Sequence, residues 1–319
     1  VQRVEAGQQR SECLRTALQR IYSYGKGREI RMEYWDLYTK YRERTGRTHI
    51  RGEELPEGLY HLAVHVWIRN SRGQYLISQR AASRPTYPLM WECPGGSVLQ
   101  GEDSIAGAIR EVREEVGIEL LPEQGKLLFT KIRDSIDGVR FGDFMDAWLF
   151  EYDWEPMLDQ ATTEEVADCR WMGGEEIQAL YDQGKLVPTL DYFFCALEAE
   201  ERDYSNVIGT VVSGRIDRPL GSCHPRKPSM VYPINYGYVN GVLGGDGAEQ
   251  DVYVFGTEEP LCEFSGKVIA VYHRFDDVED KWIVSLEGEE IPSDRILGDI
   301  AFQEQFFYGK LYCKKGKED

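Results

Sequence analysis

Several things are missing from this 319-residue sequence, and each absence removes a class of protein. No apolar run approaches the roughly 18 residues of a membrane-spanning helix, so no membrane partner is expected. The seven cysteines (Cys13, Cys93, Cys169, Cys195, Cys223, Cys262, Cys313) are odd in number, scattered and without a CxxC pair. That argues against a zinc ribbon or a disulfide framework and for free thiols in a reducing compartment. No signal-peptide pattern opens the chain, and the cytoplasm is the expected location. Positive charge is scarce: 37 Lys and Arg stand against 55 Asp and Glu, a formal net charge of −18. The deficit falls on both large segments, −15 over 32–204 and −7 over 205–319, whereas residues 1–31 are net +4. Binding to a nucleic-acid polymer through released counterions is a poor expectation for such a chain. An acidic protein can still handle a phosphate substrate when divalent cations bridge the two. Repeats and low-complexity tracts are also absent.

What is present reads as two domains with an N-terminal extension. Residues 1–31 are the extension. Leu14, Leu18 and Ile21 have the spacing of a weak amphipathic helix ending near Gly25. The sequence begins at Val1, and Met32 offers a native start for the first domain. That domain is expected over 32–204, with the charged run Glu198–Asp203 as a linker and a second domain over 205–319. In the first, Tyr60–Ile68, Gln74–Gln79, Lys126–Ile132 and Phe144–Tyr152 read as strands, Gln74–Gln79 pairing back on its predecessor. Glu175–Gln183 and Leu190–Glu200 read as helices, giving an α/β/α sandwich. In the second, Val207–Val212, Val252–Phe255, Val268–Tyr272 and Trp282–Leu286 read as strands between Gly/Pro/Asp-rich turns. Ala301–Phe307 reads as a short closing helix, and the whole as a mainly-β barrel.

One stretch dominates. Gly96 to Ile118 reads GSVLQGEDSIAGAIREVREEVGI. If residues 104–116 form one helix, Glu111, Glu114 and Glu115 stand at i, i+3 and i+4 and project from one face. Like charges at that spacing repel, so the cluster calls for a cation. Hard oxygen ligands suit Mg²⁺ or Mn²⁺. His61 and His65, four residues apart on a strand, also share a face. They could contact metal or phosphate, but a polar lining of one strand face is the favoured reading.

The pattern G-x5-E-x7-R-E-V-x-E-E-x-G-I fixes nine positions over 23 residues and resembles the Nudix box at every one. The resemblance implies hydrolysis of a nucleoside diphosphate linked to a further group. It implies that Glu111, Glu114 and Glu115 hold the metal, helped by the Gly95 carbonyl. It also implies that Arg110 orients the glutamates and that Glu102 steadies the loop or reaches a metal through water. Relatives often place the general base on a later loop, which makes Glu164 and Glu165 the candidates here. The segments EYWDLYTKYRERTGRTHIRGE and WECPGGSV further resemble the branch containing isopentenyl-diphosphate isomerases, in which a cysteine works near the place of Cys93. The intact glutamate run favours hydrolase over isomerase.

A second motif runs VYPINYGYV, from Val231 to Val239, then GDGAEQD, from Gly245 to Asp251. It resembles short bacterial soluble inorganic pyrophosphatases over most of residues 206–307. The resemblance implies metal-binding roles for Asp246 and Asp251 and phosphate-site roles for Tyr232 and Tyr236. It points to further ligands within Asp276, Asp277, Glu279 and Asp280. Ala248 replaces a third family aspartate, and His224 stands where the family has an arginine. The expected whole is a Mg²⁺- or Mn²⁺-dependent cytoplasmic enzyme acting on a small-molecule diphosphate or nucleotide. Its second domain either hydrolyses inorganic pyrophosphate or serves as an inactive binding or dimerising module, leaving a homodimer open.

Overall fold

The computed structural model describes residues 32–136, 139–197 and 199–314. The helix expected around Leu14, Leu18 and Ile21 lies outside these residues. Contacts divide the chain into two compact units, Val1–Phe193 and Phe194–Asp319. Among the described residues no helix is long and apolar enough to cross a membrane.

The first unit opens with a hairpin, β1 (Tyr34–Tyr38) and β2 (Arg44–Ile50). Next come β3 (His61–Arg69), β4 (Tyr75–Arg80), β5 (Trp91–Glu92) and β6 (Gly95–Ser97), then helix α1 (Ser104–Val116). The long pair β7 (Gly125–Ile136) and β8 (Val139–Glu151) follows, then β9 (Val166–Met172) and helix α2 (Gly174–Asp182). The sheet runs β5-β4-β3-β8-β7, with β6 on β3 and β9 on β4. Only β3 and β8 pair in parallel within it. Strand alternation sorts β3 by face. Leu62, Val64, Val66 and Ile68 are buried in the core, while His61, Ala63 and His65 line a cleft.

The second unit contains β10 (Val211–Arg218), the small pair β11 (Cys223–His224) and β12 (Lys227–Val231), and β13 (Asn235–Leu243). It continues with β14 (Glu249–Phe255), β15 (Glu263–Arg274), β16 (Asp280–Ser285), helix α3 (Ser293–Glu304) and β17 (Gly309–Cys313). Strands β10-β13-β14-β16-β15 close into a five-stranded barrel because β15 also pairs with β10, and β17 extends β15. Period-two alternation splits its core. On β14, Val252 and Val254 join Val239, Val268, Val271 and Val284. Tyr253 and Phe255 instead pack with Ile296 and Ile300 of α3. Small β-branched side chains thus fill one face and larger ones seat the helix.

Four element expectations change. Gln74–Gln79 corresponds to β4, which meets β3 only at Arg69–Tyr75 and pairs for most of its length with β9. Leu190–Glu200 is no α-helix: a 3₁₀ turn, Pro188–Leu190, leads to a π-helical turn, Phe193–Leu197. Burial of Leu190, Tyr192 and Phe193 in the core sets that path over helix propensity. Val207–Val212 divides: its start is a turn, with Thr210 N–H bonded to the Val207 carbonyl at 3.1 Å, and β10 begins only at Val211. The closing helix starts at Ser293 and ends at Glu304, earlier than Ala301–Phe307.

Candidate active site

Helix α1 carries the glutamates, and its ends are fixed by local chemistry. The Asp103 carboxylate caps the start, accepting from Ala106 N–H at 2.9 Å. Gly117 ends the helix at φ 71°, its N–H bonded to the Arg113 carbonyl. A side chain there is barred twice over, since a Cβ would lie 2.0 Å from the Met157 carbonyl oxygen.

One guanidinium organises three carboxylates. Arg110 Nε donates to Glu102 Oε1 at 2.8 Å, and Nη1 donates to Glu111 Oε1 and Glu114 Oε2, both at 3.0 Å. Its Nη2 donates to the Ser97 carbonyl at 2.9 Å, tying the helix to β6. Burial opposes the Arg110 charge, but the bond to Glu102 and the charge of Glu111 outweigh it and hold the proton more tightly than usual. Glu102 also accepts from Leu99 N–H at 3.0 Å, steadying the loop before the helix. Glu115 is only 4% exposed and accepts from Gly95 N–H at 3.1 Å. At Gly96 a Cβ would meet Glu111 Oε1 at 2.5 Å, so the missing side chain makes room for that carboxylate.

Electrostatics show what this packing costs. Burial, only partly offset by Arg110, pushes the Glu111 pKa up to about 7. Burial and then the charges of Glu111 and Glu92 push Glu115 well above the carboxylate range. Both shifts disfavour the charged forms, so the pocket as it stands favours protons or a cation. Among the described residues, no three His, Cys, Asp or Glu side chains already form a metal-holding group. The donor chemistry still fits a hard divalent ion: the Glu111, Glu114 and Glu115 carboxylates share one face of α1, beside the backbone of β6.

Glu165 lies just before β9, ion-paired with Arg84, and its charge contributes to the raised pKa of Glu115. His65 lines a cleft with Gly95 and Gly96, its Nδ1 2.9 Å from the Tyr192 hydroxyl, and burial lowers its pKa to about 3. It is therefore neutral at ordinary pH. His61 is stacked on Trp35, ring centroids 4.1 Å apart, and burial lowers its pKa as well. Cys93 also lines the cleft, but burial pushes its thiol well above the usual value.

Sequence reasoning assigned no role to several residues found here. Glu92 is ion-paired with Arg80, and Arg133 grips Asp143 through two 2.6 Å bonds. Arg51 bears electrostatically on both Glu111 and Glu165. The Arg- and Pro-rich stretch after Arg80 was a visible signal for Arg84; Arg51 had none.

In the second unit, Asp251 pairs with Lys281, whose ammonium also reaches Glu279 at 2.5 Å and the Tyr236 hydroxyl at 3.2 Å. The Tyr232 ring lies tilted against Tyr236, with centroids 5.5 Å apart. The remaining carboxylates have separate partners. Asp246 accepts from Ala248 N–H at 2.9 Å within its own turn. Asp280 binds His273 at 2.7 Å and the Tyr204 hydroxyl at 2.8 Å. Asp276 accepts from Tyr308 N–H at 3.0 Å. Tyr236, Asp251 and Glu279 thus gather around Lys281, with Tyr232 beside Tyr236, whereas Asp246, Asp276 and Asp280 are drawn into turns and other contacts.

Comparison with known proteins finds relatives of the first unit. The NUDIX domain family matches residues 59–193. An uncharacterized Nudix hydrolase of Listeria monocytogenes is 41% identical over 165 residues, covering 51% of this chain and 91% of that protein. An isopentenyl-diphosphate delta-isomerase of Escherichia coli is 32% identical over 81 residues, covering 25% of this chain and 44% of the isomerase. A crystal structure from Deinococcus radiodurans aligns with TM-score 0.39 and 23% identity, over 49% of this chain and 92% of that one. With an intact glutamate box on α1 and a Listeria relative matched over nearly its whole length, the chain belongs to the Nudix family.

Proposed function

We propose that the first unit is a Mg²⁺- or Mn²⁺-dependent hydrolase that cleaves a diphosphate joined to a nucleoside. The observation carrying this reading is the single Arg110 guanidinium that aims Glu102, Glu111 and Glu114 beside the buried Glu115. Glu111, Glu114 and Glu115, with the Gly95 carbonyl, would hold the metal, and Glu102 would support it. When bound, the ion neutralises diphosphate charge and acidifies water. Arg110 keeps the carboxylates oriented, and Glu165, positioned by Arg84, takes a proton from the attacking water. Release of two phosphorus-containing products from a nucleotide sugar, dependent on added Mg²⁺ and lost with EDTA, tests the assignment.

The isomerase reading needs Cys93 as a nucleophile or acid, and its burial disfavours the thiolate. We expect Cys93→Ala to keep hydrolysis within about threefold of wild type, because a buried cysteine acts as a small apolar side chain. A loss of about a hundredfold or more would return Cys93 to the chemistry.

For the second unit we infer a phosphate-handling role centred on Asp251, Lys281, Tyr232 and Tyr236, with inorganic pyrophosphate as the ligand. Coupled to the first unit, it would remove pyrophosphate released from a nucleoside triphosphate. Asp251→Asn is expected to lower pyrophosphate hydrolysis by about a hundredfold or more, the scale of a lost metal ligand. Nucleotide-sugar hydrolysis should not change. Pyrophosphatase activity unaffected by the substitution, or absent from the wild type, would leave the barrel as a binding or dimerising module.

A further inference from the structure

Strand β3 carries a histidine with no part in the glutamate chemistry described so far. Val64 and Val66 are fully buried, whereas His65 between them keeps part of its surface accessible. It lines a cleft of about 230 Å³ together with Gly95, Gly96, Arg133, Asp143 and Thr189. The register of β3 against β6 sets His65 opposite Gly95. Paired Cα atoms in an antiparallel ladder stand about 5 Å apart, within the reach of one side chain. The Gly95 N–H binds Glu115 at 3.1 Å, so the cleft adjoins the glutamates.

Behind His65 a chain of hydrogen bonds runs into the core. Trp67, on the same face of β3, donates Nε1–H to the Tyr192 hydroxyl at 2.9 Å. That hydroxyl lies 2.9 Å from His65 Nδ1. Tyr192 is fully buried, and the rings of Trp67 and Phe129 pack edge-on against it. An indole nitrogen only donates, so the Tyr192 oxygen accepts from Trp67 and has its own proton to give. Giving it to Nδ1 leaves the hydroxyl with one bond accepted and one donated. A neutral imidazole whose Nδ1 accepts carries its proton on Nε2. Nε2 makes no hydrogen bond among the described residues, and it is not among the sealed side-chain atoms that lack a partner, so it is accessible. The charged groups lining the cleft are already matched. Arg133 and Asp143 grip each other through two 2.6 Å bonds, and Glu92 pairs with Arg80.

We propose that Trp67 and Tyr192 hold His65 as its Nε2–H tautomer, and that this N–H donates to a phosphate oxygen of the substrate. The inference deepens the hydrolase reading and rests on it for the place of the diphosphate, beside Gly95. An N–H suits a phosphate oxygen there, whereas a bare ring nitrogen would repel it. His65 touches the substrate; Tyr192 and Trp67 are positioning residues that act through it. The bond is present before and during cleavage, so it acts on affinity.

The test uses the full chain. Long-range ¹H–¹⁵N NMR, with His65→Gln identifying the signals, should show a protonated Nε2 and an unprotonated Nδ1. The Nε2 signal should move when the α,β-methylene analogue of UDP is added with Mg²⁺. His65→Leu removes the donor and should weaken analogue binding about thirtyfold, the scale of a hydrogen bond to a charged group. KM for UDP-glucose should rise in parallel, with kcat changing by less than about threefold. His65→Gln returns an N–H at similar reach and should recover about tenfold of the lost affinity. Tyr192→Phe should let Nδ1 share the proton. A proton on Nδ1 in the wild type overturns the proposal, as does His65→Leu affinity within about threefold of wild type. A wild type that does not bind the analogue overturns it as well. If His65→Leu does not fold, the tautomer and the ligand-induced movement of Nε2 decide the matter alone. Weakened analogue binding in His65→Leu, with no UDP-glucose cleavage by the wild type, would keep the donor and overturn the hydrolase reading.

Discussion

Glu115→Gln is expected to lower hydrolysis about a thousandfold, the several kcal/mol that a correctly held metal contributes to the transition state. Yet the metal-free protein should be no less stable. Glu115 is buried among Glu111, Glu92 and Glu165, whose charges all disfavour its own, and an uncharged amide removes that repulsion. The same electrostatics predict an unusual pH dependence. The Glu111 pKa rises from 4.5 to about 7, chiefly through burial, and Glu115 is displaced in the same direction. A carboxyl with a raised folded-state pKa binds its proton more tightly in the folded protein than in the unfolded chain. Its contribution is therefore complete below the unfolded value and is lost as pH climbs through the folded one. Without metal, the Tm of the first unit should fall between about pH 5 and about pH 8, and Mg²⁺ should restore most of the loss at the upper end. Glu115→Gln should flatten the fall. A metal-free Tm that rises over this window would contradict the picture of uncompensated buried carboxylates.

The second large effect is structural. Glu304→Ala should cost the second unit roughly 3–5 kcal/mol, the usual penalty for stranding one partner of a buried ion pair. Glu304 ends α3 and Arg274 ends β15, and both are almost fully buried. Arg274 Nε and Nη2 donate to the two Glu304 oxygens, each at 2.8 Å. The Tyr253 hydroxyl donates to Glu304 Oε1 at 2.6 Å, and the Arg274 guanidinium lies 3.6 Å from the Phe307 ring centroid. The pair thus ties the helix to the barrel. Alanine leaves a buried guanidinium with only its Nη1 contacts to Asp277 and Glu279. Urea denaturation followed by circular dichroism measures the loss. The paired change Arg274→Met with Glu304→Leu should recover most of it, since neither charge then remains. An unchanged midpoint in Glu304→Ala would show that the ion pair does not hold the helix.

The glutamate box was legible because its chemistry is local. Helix spacing alone put Glu111, Glu114 and Glu115 on one face, and Asp103 and Gly117 marked the ends of α1. Spacing did not reveal that Glu115 is buried or that Arg110 reaches back to Ser97, because both depend on where β6 lies against the helix. The β1–β2 hairpin went unseen, since β2 is exposed at most positions and lacks a strong two-residue alternation. The run near Leu190 looked helical because apolar side chains predominate, but Tyr192 and Phe193 enter the core from a tighter path. The β14–β16 parallel pairing joins strands separated by β15, a relation that no local pattern encodes. The cleft of Trp35, Arg84 and Arg140 draws on three segments far apart in sequence, so its composition is visible only once the chain is folded. For the pyrophosphatase-like motif, matching residue types did not foretell neighbours: Asp280 faces His273 and Tyr204.

If the α1 carboxylates hold a metal for diphosphate hydrolysis, the reaction must follow both the ion and Glu115. The most direct measurement is ³¹P NMR of the full chain with UDP-glucose, run with Mg²⁺, with EDTA, and with Glu115→Gln plus Mg²⁺. Conversion to UMP and glucose 1-phosphate is expected in the first sample and about a thousandfold slower conversion in the Glu115→Gln sample, with none in EDTA. An intact substrate in the wild-type Mg²⁺ sample would contradict it, as would equal turnover in all three.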